Sequence, residues 1–399
     1  MNRHQLKNEG SKWVEKGIIE RQQLDDIMAL YPKRSQKPIL LTLAAIFIGL
    51  GFLSFIASNW GVIPDIARMA IIIIAMTSFY FAGDKVYRTR SETVGISLLL
   101  IAVLIFGSGI FLTGQMYNYT SFSAFPFFVW ALAALLVFAI YDERTLFVAA
   151  IVITTIGQVY SAGNFSEFNL LLGLLFVSGF SYYVYHRADW LYATLFTLSY
   201  ILQAVILAFV EHHSYHWLLV YFLALYLLGI LVSKQALKIP FTKLSIATMF
   251  ILVIWQVFFL DMEFFTESLG GEFFFLTIWV VLSLSVMVLL WKRNHLIFLL
   301  NLVLFLPVFY LETGSMVALI LLFIYSLGWL LRGYQSENSG IVTKGTVAFV
   351  ISTVVAYAQL AWDFMDKSLF FFIGGILLFL LSFFLERKRR NLSKRGRIV

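Results

Sequence analysis

The stretch that decides the fold runs from residue 94 to residue 120 and reads "VGISLLLIAVLIFGSGIFLTGQMYNYT". It has no charged residue, and its apolar part has the length of roughly 20 residues that a helix needs to cross a bilayer. The rest of the chain is similar, since 61% of its 399 residues are hydrophobic and only 13% are charged. A barrel would show short alternating segments, whereas these apolar runs are continuous. The sequence therefore predicts an all-α, polytopic membrane helical bundle.

The apolar runs predict about fourteen transmembrane spans. They cover residues 39–58, 65–83, 94–114, 124–141, 146–161, 168–185, 190–210, 215–233, 244–260, 272–291, 296–311, 315–331, 345–362 and 368–385. The eleventh span is short and contains Asn301 and Pro307. We expect it to be broken or tilted, because proline removes a backbone hydrogen bond.

The basic residues predict the orientation. With the N-terminus in the cytoplasm, 27 of the 29 Lys and Arg residues fall on the cytoplasmic side, and only Arg68 and Lys367 fall outside. This bias places both termini in the cytoplasm. The net charge of +7 is then a topology signal and not a sign of nucleic-acid binding. The expected partner is the lipid bilayer. The basic tail 386–399 suits anionic headgroups or serves only as an anchor, and no protein partner is indicated.

Four regions follow along the chain. Residues 1–37 read as a cytosolic helical hairpin, in which Gly17 suits a left-handed stop of the first helix and Pro32 ends the second. Residues 38–150 form an N-terminal membrane module, residues 151–385 the C-terminal membrane helices, and residues 386–399 the tail.

Two glycine pairs suggest a duplicated helical hairpin. Gly49 and Gly51 lie in "IFIGLGFLSF", and Gly107 and Gly109 lie in "LIFGSGIFLT", 58 residues later. Residues two apart do not share a helix face, so the pairs indicate a hinge or a close approach to a neighbouring helix.

Glutamines recur at similar depth in the predicted spans. Four lie about two-thirds of the way along an outward-running span and one near a span's outer end: Gln158, Gln203, Gln256, Gln359 and Gln115. Tyr117 and Tyr160 follow two of them in the pattern G-Q-x-Y. Amides inside a membrane need partners. The series predicts either a polar substrate cavity or hydrogen bonds that hold helices together.

The first outer loop gives further candidates. Asn59, Trp60 and Arg68 lie in "NWGVIPDIAR", where Arg68 suits an anionic headgroup or snorkels to phosphates. Asp65, three residues before Arg68, is placed to pair with it. No catalytic residues, metal site or cofactor are indicated. The sequence has no cysteine, and the histidines of "EHHSYH" lack a second cluster of ligands.

The first 150 residues resemble a bacterial family of predicted membrane proteins, domain of unknown function 2157. The similar stretches are "WVEKGIIERQQLDDIMALY", "ASNWGVIPDIAR" and "FGSGIFLTGQMYN". The matching positions are Trp13, Gly17, Asn59, Trp60, Arg68, Gly107, Gly109, Gln115 and Tyr117. The resemblance implies a bacterial cytoplasmic membrane and no activity.

Three functions are consistent with these features. The first is a carrier or flippase-like protein for a neutral or amphiphilic envelope substrate. The second is a scaffold or sensor that acts through the N-terminal hairpin. The third, a membrane-embedded glycan or lipid transferase, would use Asp65, and the absence of catalytic motifs favours a protein that is not an enzyme.

Overall fold

The computed structural model describes residues 13–14, 17, 19–24, 37–59, 63–119, 121–210, 215–260 and 273–361, with residues 372, 375, 376 and 379. These residues are helical and include no strand. The α-helices are α1 (Lys37–Asn59), α2 (Asp65–Thr89), α3 (Glu92–Met116), α4 (Phe125–Tyr141), α5 (Arg144–Phe165), α6 (Leu170–Leu175), α7 (Ser181–Arg187), α8 (Trp190–Val210), α9 (Trp217–Leu231), α10 (Gln235–Phe259), α11 (Phe273–Lys292), α12 (Gly314–Gln335) and α13 (Ser339–Ala361).

Two predicted spans are not regular α-helices. A π-helix, Phe176–Phe180, joins α6 to α7 within the sixth predicted span. The eleventh span is a 3₁₀ helix, Leu296–Phe305, followed by extended Leu306 and a short 3₁₀ turn, Val308–Tyr310. We call residues 296–310 the broken segment. The expected break is confirmed, and Pro307 lies at it because proline has no N–H to continue a helix.

The described residues hold eight helices that are long and apolar enough to cross a bilayer: α2, α3, α5, α8, α10, α11, α12 and α13. Shorter apolar helices are α4, α9 and the 3₁₀ helix 296–305. Most predicted spans fall on a helical segment, and the last one, 368–385, lies almost entirely outside the described residues. The chain is thus an all-helical protein with several membrane-spanning segments, and the count of fourteen stays a prediction.

The chain forms two compact units. Unit 1 comprises Met1–Thr120 and Leu136–Leu146, and unit 2 comprises Ser121–Leu135 and Phe147–Val399. In unit 1, α3 packs on α1 and α2, and most of its middle is buried. In unit 2, helices α8 through α13 and the broken segment all contribute side chains to one continuous apolar core.

The glycine pairs lie in unit 1. A Cβ on Gly49 would lie 2.9 Å from Leu104 of α3, and a Cβ on Gly109 would lie 2.7 Å from Ile72 of α2. Gly51 has no atom of the described residues within 4 Å of that position. Gly107 is buried in α3. Gly49 and Gly109 therefore mark close helix approaches, as the sequence suggested, and Gly51 does not.

Little of the N-terminal hairpin is described. Residues 13–14 and 21–24 are helical, and Gly17 has φ +68°, which confirms its left-handed stop. Its N–H donates to the Val14 carbonyl at 3.0 Å. Pro32 and most residues of both predicted helices lie outside the described residues.

Candidate functional site

The stretch that opens the sequence ends as a capped helix terminus. Asn118 adopts φ +48°, its N–H donates to the Gln115 carbonyl, and the Tyr119 N–H donates to the Gly114 carbonyl at 2.8 Å. These bonds are those of a Schellman cap, and asparagine tolerates the left-handed conformation that the cap requires. Gln115 and Tyr117 are exposed, with Tyr117 at 60%. Both therefore lie at the exposed end of α3 in unit 1, whereas Gln158, Gln203 and Gln256 belong to unit 2.

Helices α5 and α8 of unit 2 lie side by side and run in the same direction. Phe147 of α5 stacks on Tyr192 of α8 with ring centroids 4.0 Å apart. A second contact joins the Thr155 hydroxyl to the Ser199 hydroxyl at 2.7 Å. Thr155 lies eight residues after Phe147 on α5, and Ser199 lies seven residues after Tyr192 on α8. The nearly equal advance along both helices shows that they are parallel.

A strip of buried and partly buried polar side chains follows this contact. We call Thr155, Gln158 and Ser161 of α5, with Ser199 and Gln203 of α8, the polar seam. Gln158 and Ser161 are completely buried, and Ser199 and Gln203 are 5% exposed. Thr155 and Gln158 on α5, and Ser199 and Gln203 on α8, are neighbours on one helix face, and Ser161 is the next neighbour of Gln158 on α5. Gln158 and Gln203 therefore lie at one level, about one turn beyond the Thr155–Ser199 contact.

The hydrogen bonds of the polar seam are incomplete. The Gln203 Nε2 donates to Ser199 Oγ at 3.3 Å, and Thr155 donates to or accepts from Ser199. For Gln158, neither amide atom has a hydrogen-bond partner among the described residues, and neither does Ser161 Oγ. Buried polar groups are paired in the large majority of cases, so these two side chains are exceptional within the bundle.

Gln256 of α10 is a second buried amide of this kind. It is 1% exposed, and neither amide atom has a partner among the described residues. One turn further along α10, Leu260 lies against Gly314 at the start of α12, beside the Val308 carbonyl. Gln256 therefore lies one turn from the end of the broken segment.

The broken segment is fixed by its one buried amide, Asn301. The Asn301 Nδ2 donates to the Tyr226 hydroxyl of α9 at 2.9 Å, and the Trp329 Nε1 of α12 donates to Asn301 Oδ1 at 3.1 Å. All three residues are buried. The Trp279 Nε1 of α11 donates to the Phe305 carbonyl at 2.8 Å, at the end of the 3₁₀ helix. Helices α9 and α12 thus hold the Asn301 side chain, and α11 satisfies the Phe305 carbonyl, a backbone group that a continuous α-helix would satisfy itself.

The other predicted site residues are dispersed. Gln359 is partly buried in α13. Tyr160 is 38% exposed and packs on Phe127 with ring centroids 5.0 Å apart. Asn59 ends α1, and its side chain, like all of Trp60, lies outside the described residues. The structure therefore places Gln158 and Gln203 at one level of two neighbouring helices and Gln256 one turn from the end of the broken segment.

Arg68 fastens the start of α2. Its Nε donates to the Ile63 carbonyl at 2.5 Å, and its Nη1 lies 3.2 Å from Asp65 Oδ1, which confirms the predicted pair. The Arg68 side chain is only 12% exposed. The Asp65 carboxylate is thus engaged at a helix N-terminus, where it is electrostatically favourable.

The histidine-rich stretch gives no metal cluster in the described part of the chain. Glu211, His212, His213 and Ser214 lie outside it. His216 is buried at the start of α9, where its ring stacks on Phe309 with centroids 5.2 Å apart and meets Phe275 edge-on.

The sequence analysis missed several contributors to these arrangements, among them Ser161, Ser199, Tyr226 and Trp329. Ser161 and Ser199 were detectable, because each lies three or four residues from a glutamine on the same helix. Tyr226 and Trp329 were not, because their partner Asn301 is 75 and 28 residues away.

The comparisons with known proteins agree with the helical, membrane-spanning architecture. No curated protein and no solved structure matches the chain. Residues 11–147 match the family model described as "Predicted membrane protein (DUF2157)". This segment covers α1–α4 and the start of α5, and the match confirms the resemblance drawn from the sequence. The N-terminal third of the chain is thus similar to this family of predicted membrane proteins of unknown function.

Proposed function

We propose that the chain is a multi-pass carrier, with fourteen spans and both termini cytoplasmic, for a neutral or amphiphilic substrate of the bacterial envelope. The strong positive-inside bias supports this orientation. The proposal divides the chain into a cytosolic hairpin, an N-terminal membrane module, the C-terminal membrane helices and a basic tail, which are residues 1–37, 38–150, 151–385 and 386–399. The basic tail binds anionic lipid headgroups in this proposal. The transferase alternative has no support beyond Asp65, which is paired with Arg68.

One observation carries the proposal, namely the broken segment within the core of unit 2. A 3₁₀ helix rarely exceeds three or four residues, and longer ones mark hinges or strained segments. Here it spans ten residues, Leu296–Phe305. In membrane carriers, interrupted helices lie at the substrate site, because unwound backbone is tolerated only where protein or a cavity satisfies it.

The buried amides support the same proposal. A helix with a purely structural role in the bundle gains nothing from Gln158 or Gln256, because burying an unpaired amide costs about 1–3 kcal/mol. A carrier that alternates between two arrangements pairs such groups in the arrangement that holds water or substrate. Packing alone explains the paired Asn301, whereas it does not explain the two unpaired amides.

The test is accessibility from both faces of the membrane. Because the native chain has no cysteine, the single variants Gln158→Cys, Gln203→Cys and Gln256→Cys are treated with a membrane-impermeant maleimide in intact cells and in inverted vesicles. We expect labelling of Gln256→Cys and of at least one seam variant from each face. The variant Gln115→Cys should be labelled from one face only.

The matched control is Ser352→Cys in α13. Ser352 is completely buried, but its hydroxyl donates to the Ala348 carbonyl at 2.8 Å. This variant should react from neither face. If the three glutamine variants behave like Ser352→Cys, unit 2 is a closed bundle and the carrier proposal fails.

A further inference from the structure

We infer that the polar seam between α5 and α8 is a binding site for a neutral, polyhydroxylated molecule. This inference rests on the proposed carrier function, because a ligand can reach the completely buried Gln158 and Ser161 only if the bundle opens. It assigns the ligand to the seam between α5 and α8, with the broken segment of the same unit as the element that moves, and gives its chemical class.

The position of the unpaired groups defines the site. Gln158 and Ser161 lie three residues apart on α5, so both project from one face toward the same space. On the parallel α8, Gln203 lies at the level of Gln158 and is itself held by Ser199. The site thus combines two groups without partners among the described residues, Gln158 and Ser161, with one amide that is already oriented.

The hydrogen-bonding capacity of these groups selects hydroxyls. An amide side chain offers two N–H donors and one carbonyl acceptor, and a serine hydroxyl both donates and accepts. Only a partner that also donates and accepts at neighbouring atoms satisfies both groups. Vicinal hydroxyls do so, whereas a carboxylate only accepts and an ammonium only donates.

The two helices of the seam carry almost no charge. Helix α8 has no Asp, Glu, Lys or Arg, and the only such residue of α5 is Arg144. Arg144 lies eleven residues before Thr155, about 16 Å along the helix. An ion buried without a partner is far more costly than a neutral polar group. The seam therefore suits a neutral ligand.

The end of α6 closes the same region. Helix α6 runs antiparallel to α5, because Phe180 packs on Phe147 and the Leu172 side chain lies beside Gly157. Asn169, which precedes α6, is buried, and its Oδ1 accepts from the Leu172 N–H at 3.1 Å. Its amide nitrogen is a further donor at the level of Ser161.

The experiment uses Ser161→Cys, which nearly preserves the side-chain volume, in the full-length protein. The rate of modification by the impermeant maleimide is measured with and without glycerol or D-glucose. Only the ligand-free fraction reacts, so a polyol at about ten times its Kd should slow modification about tenfold. Choline chloride and sodium phosphate should leave the rate unchanged.

Two second-site variants test the assignment to the seam. Adding Gln158→Leu to Ser161→Cys should preserve labelling and abolish the protection by polyol. Adding Gln359→Leu, a change of the same kind in α13, should preserve the protection. The single variant Ser352→Cys is again the buried control, because the native Ser352 hydroxyl is paired, and it should not be labelled.

The outcomes separate the two proposals. If Ser161→Cys reacts but neither polyol protects it, or if choline or phosphate protects equally well, the ligand assignment is overturned and the carrier proposal stands. If Ser161→Cys reacts from neither face, the seam is closed and the ligand assignment is overturned, whereas the three glutamine variants decide the carrier proposal. If a polyol protects Ser161→Cys, but the maleimide labels it from one face only, the binding site is supported and the carrier proposal is overturned.

Discussion

The contrast between a paired and an unpaired buried amide predicts opposite effects of the same substitution. In Asn301→Leu, the Trp329 indole N–H and the Tyr226 hydroxyl each lose their hydrogen-bond partner inside the core of unit 2. Leaving a buried polar group unpaired costs about 1–3 kcal/mol in soluble proteins. Within membranes a hydrogen bond between helices contributes about 0.6 kcal/mol on average and about 1.7 kcal/mol at most. We expect Asn301→Leu to lower the free energy of unfolding by about 1–3 kcal/mol.

Gln158→Leu is the matched variant. Its amide has no partner to abandon among the described residues, and leucine fills a similar volume. Replacing an unpaired buried polar group by an apolar one is neutral or stabilising. We therefore expect a change within about 0.5 kcal/mol, or a gain in stability.

The assay is unfolding in mixed micelles, titrated with sodium dodecyl sulfate and without added polyol. The reasoning is refuted if Asn301→Leu is as stable as Gln158→Leu, because the Asn301 bonds would then not hold the broken segment. It is also refuted if Gln158→Leu is the less stable variant, because that amide would then have a structural partner.

Two further predictions concern helix packing and the broken segment. Gly95→Ala in α3 should destabilise by about 1–3 kcal/mol, because its Cβ would lie 2.5 Å from the backbone of Tyr87. Gly51→Ala should instead stabilise by about 0.5–1 kcal/mol, because it has open space and alanine favours a helix. The same titration measures both. Trp279→Phe should raise hydrogen–deuterium exchange in residues 296–310, because the Phe305 carbonyl loses its donor. Unchanged exchange would mean that this bond does not hold the segment.

The sequence predicted the parts of the fold that depend on neighbouring residues. The span 190–210 coincides with α8, Trp190–Val210, because an uninterrupted apolar run of that length leaves little choice of ends. The break at Pro307 and the pair of Asp65 with Arg68 follow from local rules for proline and for helix spacing. The left-handed Gly17 is of the same kind.

What the sequence could not predict depends on which helices meet. The π-helix Phe176–Phe180 contains no proline and reads as ordinary apolar sequence. Gly49 and Gly51 look alike, and only the position of Leu104 separates a close contact from open space. That the helices of Gln158 and Gln203 are in contact, through Thr155 and Ser199, follows from the order of helices in the bundle.

The most direct test of the account asks whether motion of the broken segment opens the buried amides. A Cβ on Gly328 would lie 3.2 Å from Leu300 Cγ, so cysteines at positions 300 and 328 join the segment to α12 on oxidation. Cysteines at positions 49 and 104 are the control pair in unit 1, since a Cβ on Gly49 would lie 3.2 Å from Leu104 Cβ. Each pair is combined with Gln256→Cys, and after oxidation the rate of labelling at position 256 is measured from each face.

The account predicts that the bond between residues 300 and 328 abolishes labelling of Gln256→Cys from one face, that a reductant restores it, and that the control pair has no effect. Labelling that continues unchanged from both faces with the segment fixed would contradict it, because access to the buried amides would then not depend on the broken segment.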